Sequence, residues 1–230
     1  ESDLSGIGYK DYMDAVWYHK TVELTEVEVK GRVLLHFGAV DYDARVWING
    51  TEVGRHNGGY TSFTFDITAY VQAGANDIAV YAEDDLRSGK QPHGKQSGLY
   101  YSHGCEYTRT TGIWQTVWLE PVPDIRIDAV RFTPDVDFGR VGVRVRLVGG
   151  WKGTALKLRF SLKGETLLEE TLRVAGDCPE TVCPLVQNPV FQNDPCDTGL
   201  LWSPESPNLI DVDIQLLRGD TEVDCVTSYF

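Results

Sequence analysis

Nowhere in these 230 residues does an apolar run approach the roughly 20 that a helix needs to cross a bilayer. There is no starting Met, no basic-then-apolar leader and no transit-like segment. The chain opens on Glu1-Ser2-Asp3, which reads as a cut from something longer. Basic residues are few, 21 Lys and Arg against 34 Asp and Glu, and they are scattered; the formal charge is -13. That balance argues against nucleic acid and against an anionic membrane as partner. Close cysteine pairs are missing too. The five cysteines (Cys105, Cys178, Cys183, Cys196 and Cys225) are an odd number without zinc-knuckle spacing, so neither a metal nor another cofactor is expected. Most fall after residue 170, which leaves disulfides there or free thiols as alternatives, and with them a secreted or a cytoplasmic location. Finally, no helix-length stretch carries a convincing 3.6-residue repeat.

A period of two takes its place. "VGVRVRLV" (141–148) sends Val141, Val143, Val145 and Leu147 one way, Arg144 and Arg146 the other. "ALKLRFSLK" (155–163) alternates likewise, with Leu156, Leu158, Phe160 and Leu162 inward. "SFTFDI" (62–67) and "NDIAVYAED" (76–84) repeat the pattern with Phe63, Phe65 and Ile67, and with Ile78, Val80 and Ala82. Such alternation marks half-buried strands. Hydrophobic residues at 42% suffice for a core. The chain therefore reads as all-β, with short strands packed as sandwiches.

In "ARVWINGTEVGRH" (44–56), Asn49-Gly50 fits the type I′ turn of a two-residue hairpin. The pair Gly58-Gly59 then predicts a tight corner or a close backbone approach. At "EPVPDI" (120–125), Pro121 and Pro123 cannot continue a central ladder, so a domain boundary is expected there, with residues 1–121 in one domain and 122–230 in a second sandwich. The second half lacks the Cys–Trp–Cys arrangement of antibody domains, so "immunoglobulin-like" would describe its architecture alone. On strand alternation Trp114 and Trp118, in "TRTTGIWQTVWLEPVP" (108–123), share one face with Thr116 between them, and packing is favoured over sugar stacking as the use of their rings.

The stretch "TTGIWQTVWLEPVP" resembles the closing strand of the N-terminal sugar-binding domain of glycoside hydrolase family 2, which includes β-galactosidases, β-glucuronidases and β-mannosidases. "ESDLSGIG" (1–8), "VWYHK" (16–20), "FGAVDYDARVWINGTEVGRHNGGYTSFTFDIT" (37–68) and "GKQ" (94–96) follow the same order. "LLWSPESPNLIDVDIQL" (200–216) resembles the end of the family's immunoglobulin-like domain, and "TSYF" (227–230) the approach to its catalytic barrel. The resemblance implies a jelly-roll sandwich, galactose-binding-like and short of its first residues, followed by an immunoglobulin-like sandwich. It also implies a retaining glycosidase whose two glutamates belong to a barrel this chain does not contain. The chain alone is then inactive, and its partner is a carbohydrate substrate held through that barrel. A homo-oligomer of the parent enzyme is compatible with the resemblance; an autonomous carbohydrate-binding module and a purely structural pair of domains are the alternatives.

Two site residues follow from the resemblance. In family members an acidic side chain six positions before the Gly of "GI" reaches the barrel and binds sugar hydroxyls; here that position is Glu106, in "CEYTRTTGI". Asp is common there in the family, so Glu departs in reach while keeping the charge. A carboxylate suits the role because charged acceptors bind hydroxyls strongly. Arg109 matches a position that is basic in some members, where it would bind substrate, pair with Glu106 or steady the loop. Loop 86–107, long and rich in Gly and polar residues, is expected to meet the barrel or the substrate. Asp84 and Asp85 read as a strand-end cluster, His93 and His103 lack metal-ligand spacing, and His36 and His56 read as structural.

Overall fold

The computed structural model describes residues 13–99, 101–185 and 200–230. The motif "ESDLSGIG" and Cys196 lie outside those residues. The chain falls into two compact units, Glu1–Val122 and Pro123–Phe230. Both are built from strands; among the described residues the only helical pieces are single 3-10 turns at Glu28–Lys30 and Thr68–Tyr70.

The first unit has a four-stranded antiparallel sheet in the order β1 (Ala15–Leu24), β7 (Gly74–Glu83), β4 (Asp43–Ile48), β5 (Thr51–Asn57). A three-stranded sheet runs β6 (Phe63–Asp66), β2 (Arg32–Phe37), β9 (Val117–Val122), and β3 (Val40–Asp41) pairs with β8 (Gly112–Ile113). Alternation decides which side chains meet between the sheets. Val33, Leu35 and Phe37 of β2 face Ala44, Val46 and Ile48 of β4 and Ile78, Val80 and Ala82 of β7 in one apolar cluster. The β4–β5 turn is the expected hairpin, with Asn49 at φ 50° and Gly50 at φ 82°, the left-handed values a type I′ turn requires.

The run 108–123 departs from a single strand. Its chain is β8, then a break at 114–116, then β9. Gly112 opens it at φ +91°, and a Cβ there would meet the Tyr18 hydroxyl at 2.3 Å. The Trp114 indole N–H donates to the Gly59 carbonyl at 2.7 Å, while Trp118 stacks on His36 at 4.7 Å. Trp114 thus lies in the break and Trp118 in β9, and the rings pack in separate places, each still a little under half exposed.

The second unit carries one sheet in the order β10 (Arg126–Asp135), β11 (Arg140–Val148), β14 (Glu180–Pro184). The other runs β13 (Glu165–Arg173), β12 (Thr154–Leu162), β15 (Asp211–Arg218), β16 (Thr221–Tyr229). Leu156, Leu158 and Phe160 are fully buried against Val141, Val143, Val145, Val212, Ile214 and Leu216. Each such side chain contributes about 1.5–3 kcal/mol by leaving water. The outward residues between them pair across strands: Arg159 lies opposite Asp213 at 2.5 Å, and Arg144 opposite Glu180. Cys105, Cys178, Cys183 and Cys225 are free thiols. Cys183 is buried in this core, and burial, with the Glu170 carboxylate beside it, pushes its thiol up to about 12.

Candidate functional site

Between β7 and β8, the described residues from Asp84 to Thr111 form turns and isolated bridges in place of a strand. A loop this long needs its own anchors, and it has several. At its root, Arg109 is 3% exposed and turns inward. Its Nη2 donates to the Met13 carbonyl at 2.5 Å and to the Thr111 hydroxyl at 2.6 Å, and lies 3.7 Å from the fully buried Asp84 carboxylate. Asp84 also accepts from the Gln91 side chain at 2.5 Å. So the acid of the expected strand-end cluster is a structural counter-ion.

A second anchor runs through Gln96. Its Nε2 donates to the buried Asp41 carboxylate at 2.5 Å, and its Oε1 accepts from the Thr110 backbone N–H at 2.7 Å. Gly59 is what admits Asp41, since a Cβ at that position would stand 2.3 Å from Asp41 Oδ1. The close backbone approach expected at Gly58-Gly59 is therefore an intramolecular one. Tyr60 continues the joint, reaching the His93 carbonyl at 3.4 Å and meeting the Trp114 ring edge-on.

Beyond these anchors the chain makes a minimal turn. His103 and Glu106 exchange both backbone hydrogen bonds, at 3.2 and 2.9 Å, around Gly104 at φ +53° and Cys105. Ser97, buried beneath, donates its one hydroxyl proton to the Tyr101 carbonyl at 2.9 Å. The same oxygen lies 3.1 Å from His103 Nδ1, so the ring N–H must be the donor there. His103 Nε2 then carries a proton only in the charged imidazolium, the form that attracts the Glu106 carboxylate 3.5 Å away. Glu106 is 37% exposed and faces solvent from a turn tied down at both ends. The aromatic side chains Tyr101 and Tyr107 flank it, both well exposed.

The two residues named from the sequence thus point opposite ways. Glu106 is presented outward beside His103; Arg109 is packed into the root of the same loop. Sequence reasoning missed Gln96, Ser97 and Asp41 as organisers. Only "GKQ" hinted at the first, and the contact to Asp41 spans 55 positions.

Two successive β-sandwich units define an all-β architectural class that has solved counterparts. The crystal structure of a glycosyl hydrolase family 2 member from Bacteroides cellulosilyticus superposes with a TM-score of 0.70 at 21% identity, over 94% of this chain and 28% of that one. Sequence narrows the class to a family. The model for "Glycosyl hydrolases family 2, sugar binding domain" matches residues 7–123, and that for "Glycosyl hydrolases family 2" matches residues 125–230. The chain belongs to glycosyl hydrolase family 2. A β-galactosidase of Thermoanaerobacter pseudethanolicus is 28% identical over 225 residues, 95% of this chain but 28% of its own length. A β-glucuronidase of Rattus norvegicus is 27% identical over 183 residues, 72% of this chain and 28% of its own. The chain therefore spans under a third of these relatives.

Proposed function

We propose that this chain is the non-catalytic N-terminal part of a retaining glycosidase and that its loop 84–111 completes a substrate site formed by a catalytic barrel elsewhere in the protein. The observation that carries this reading is the placement of Glu106. An acid on a turn with a rigid root can reach a neighbouring surface without a large ordering penalty when it binds. Its role is to accept hydrogen bonds from sugar hydroxyls. Arg109 acts through the loop as a positioning residue and does not touch substrate. The carboxylate dyad of a retaining enzyme, about 5–5.5 Å apart, is assigned to the barrel.

The test is Glu106→Gln in the full-length protein, which keeps shape and removes charge. Losing a charge-assisted hydrogen bond costs about 1.5–3 kcal/mol, so kcat/KM should fall about ten- to a hundredfold. Glu26→Gln, on an exposed turn of the same unit, is the control. A folded Glu106→Gln enzyme with wild-type kcat/KM would sink the reading.

A further inference from the structure

In a sandwich the outward face of a sheet is ordinarily polar, because the other face supplies the core. The outward face of β1-β7-β4-β5 breaks that rule in one place. Trp17 stands opposite Tyr81 across β1 and β7, and Trp47 opposite Ala79 across β4 and β7. The small Ala79 leaves room for the rings to lean together. The Trp17 ring centre lies 5.1 Å from that of Trp47 and 5.0 Å from that of Tyr81. Trp17 is nonetheless 63% exposed, the most exposed tryptophan of the chain. Packing the three rings together has left the Trp17 ring largely in water, with Trp47 and Tyr81 partly exposed beside it.

The surroundings specify what would cover it. Arg55 grips Asp43 through both ends of its guanidinium, and the Tyr81 hydroxyl donates to Glu83 at 3.0 Å. Arg45 stands opposite both Tyr81 and Arg55 in the strand register, and its Nε lacks a hydrogen-bond partner. Glu52 of β5 stands opposite Trp47, so the rim sets two guanidiniums against three carboxylates, each a planar group able to engage paired hydroxyls. A pyranose matches this combination, with a C–H face for the rings and equatorial hydroxyls for the rim. The net negative charge of this rim disfavours a uronate or phosphate. The -13 charge of each chain disfavours a second copy. The rings are inclined at 37° and 49° to one another, so the shelf twists, which suits a soluble glycan whose successive sugars turn and not a flat crystalline polymer.

We infer that the Trp17–Trp47–Tyr81 face is a saccharide-binding surface for neutral hexose oligomers, distinct in position from the Glu106 turn and independent of the catalytic reading above. The test uses the 230-residue chain itself. Calorimetric and tryptophan-fluorescence titrations are run with cellohexaose, mannohexaose, β-1,4-galactohexaose and an oligogalacturonate. Saturable binding of at least one neutral hexaose is expected, weakened about tenfold or more by Trp17→Ala. Trp17→Phe should retain most of the affinity, and Trp202→Ala, in the second unit, all of it. Because Trp17 is exposed, its variants should unfold at the wild-type midpoint. No saturable binding of any neutral hexaose at millimolar concentration overturns the inference, as does binding indifferent to Trp17→Ala or a preference for the uronate. So does a self-associated chain in sedimentation that Trp17→Ala converts to monomer, since the face would then be a protein interface.

Discussion

Replacing Arg109 by Met tests whether the loop root is held electrostatically. The substitution keeps a long side chain of similar reach but leaves the Asp84 carboxylate, 0% exposed, without its guanidinium. It also removes the donor to the Met13 carbonyl and to the Thr111 hydroxyl. Breaking one side of a buried ion pair costs about 3–5 kcal/mol, against a stability of about 5–15 kcal/mol for a typical domain. With a urea m value of about 2 kcal/mol/M, the midpoint of the first unit should fall by roughly 1.5–2.5 M. Pulsed hydrogen exchange read by mass spectrometry assigns the loss to peptides of β1–β9 while those of β10–β16 keep the wild-type midpoint. Arg109→Lys should fall between, because one ammonium cannot serve several acceptors set apart in a plane. The double variant Arg109→Met with Asp84→Leu should recover much of the loss, since the uncompensated charge is gone. If Arg109→Met shifts the midpoint by less than about 0.3 M, or the double variant is no better than the single, the reasoning is wrong.

Two further outcomes are expected. Native labelling with iodoacetamide at pH 8 should modify the exposed Cys105 and Cys178 and leave Cys183 untouched until unfolding, because its thiol is buried and held near 12; early labelling of Cys183 would show that this core opens. Hydrogen bonding from Arg55, with further help from Arg55 and Arg45 charge, holds the Asp43 carboxyl below its ordinary value. That stabilisation is present in full above the ordinary aspartate range and is lost as pH falls through the lowered value, so Asp43→Asn should flatten the acid-side decline in stability of the first unit. An unchanged acid limb would refute it.

Much of the fold was legible because its dominant signal is local. Alternation in 141–148 and 155–163 reports burial directly, as the fully buried Val141, Leu156 and Phe160 show. Asn49-Gly50 announces its own turn through the backbone it tolerates. What could not be read depends on distant partners. At the break between Trp114 and Trp118, the Trp114 indole bonds to a Gly59 carbonyl 55 positions upstream. The cis Asp41–Tyr42 peptide has no proline to signal it. At the site, counting back from Gly112 named Glu106 and a matched family position named Arg109, but position along an irregular loop carries no information about side-chain direction. Whether a basic residue there faces solvent or a buried acid is decided by Asp84, which sequence alone read only as the end of a strand.

The root of loop 84–111 has one more consequence. Arg109 with Asp84, Gln96 with Asp41, and Trp114 with Gly59 rivet the two limbs of the loop to the sandwich, so the hairpin around Gly104 hangs from a closed collar. The entropy of lengthening a closed loop grows only slowly, about 0.6 kcal/mol per doubling. Residues can therefore be inserted, deleted or exchanged at 102–106 while the strands beneath keep their register. Such a collar turns the tip into a cassette: recognition can be rewritten there by natural drift or by grafting, with the scaffold left out of the transaction.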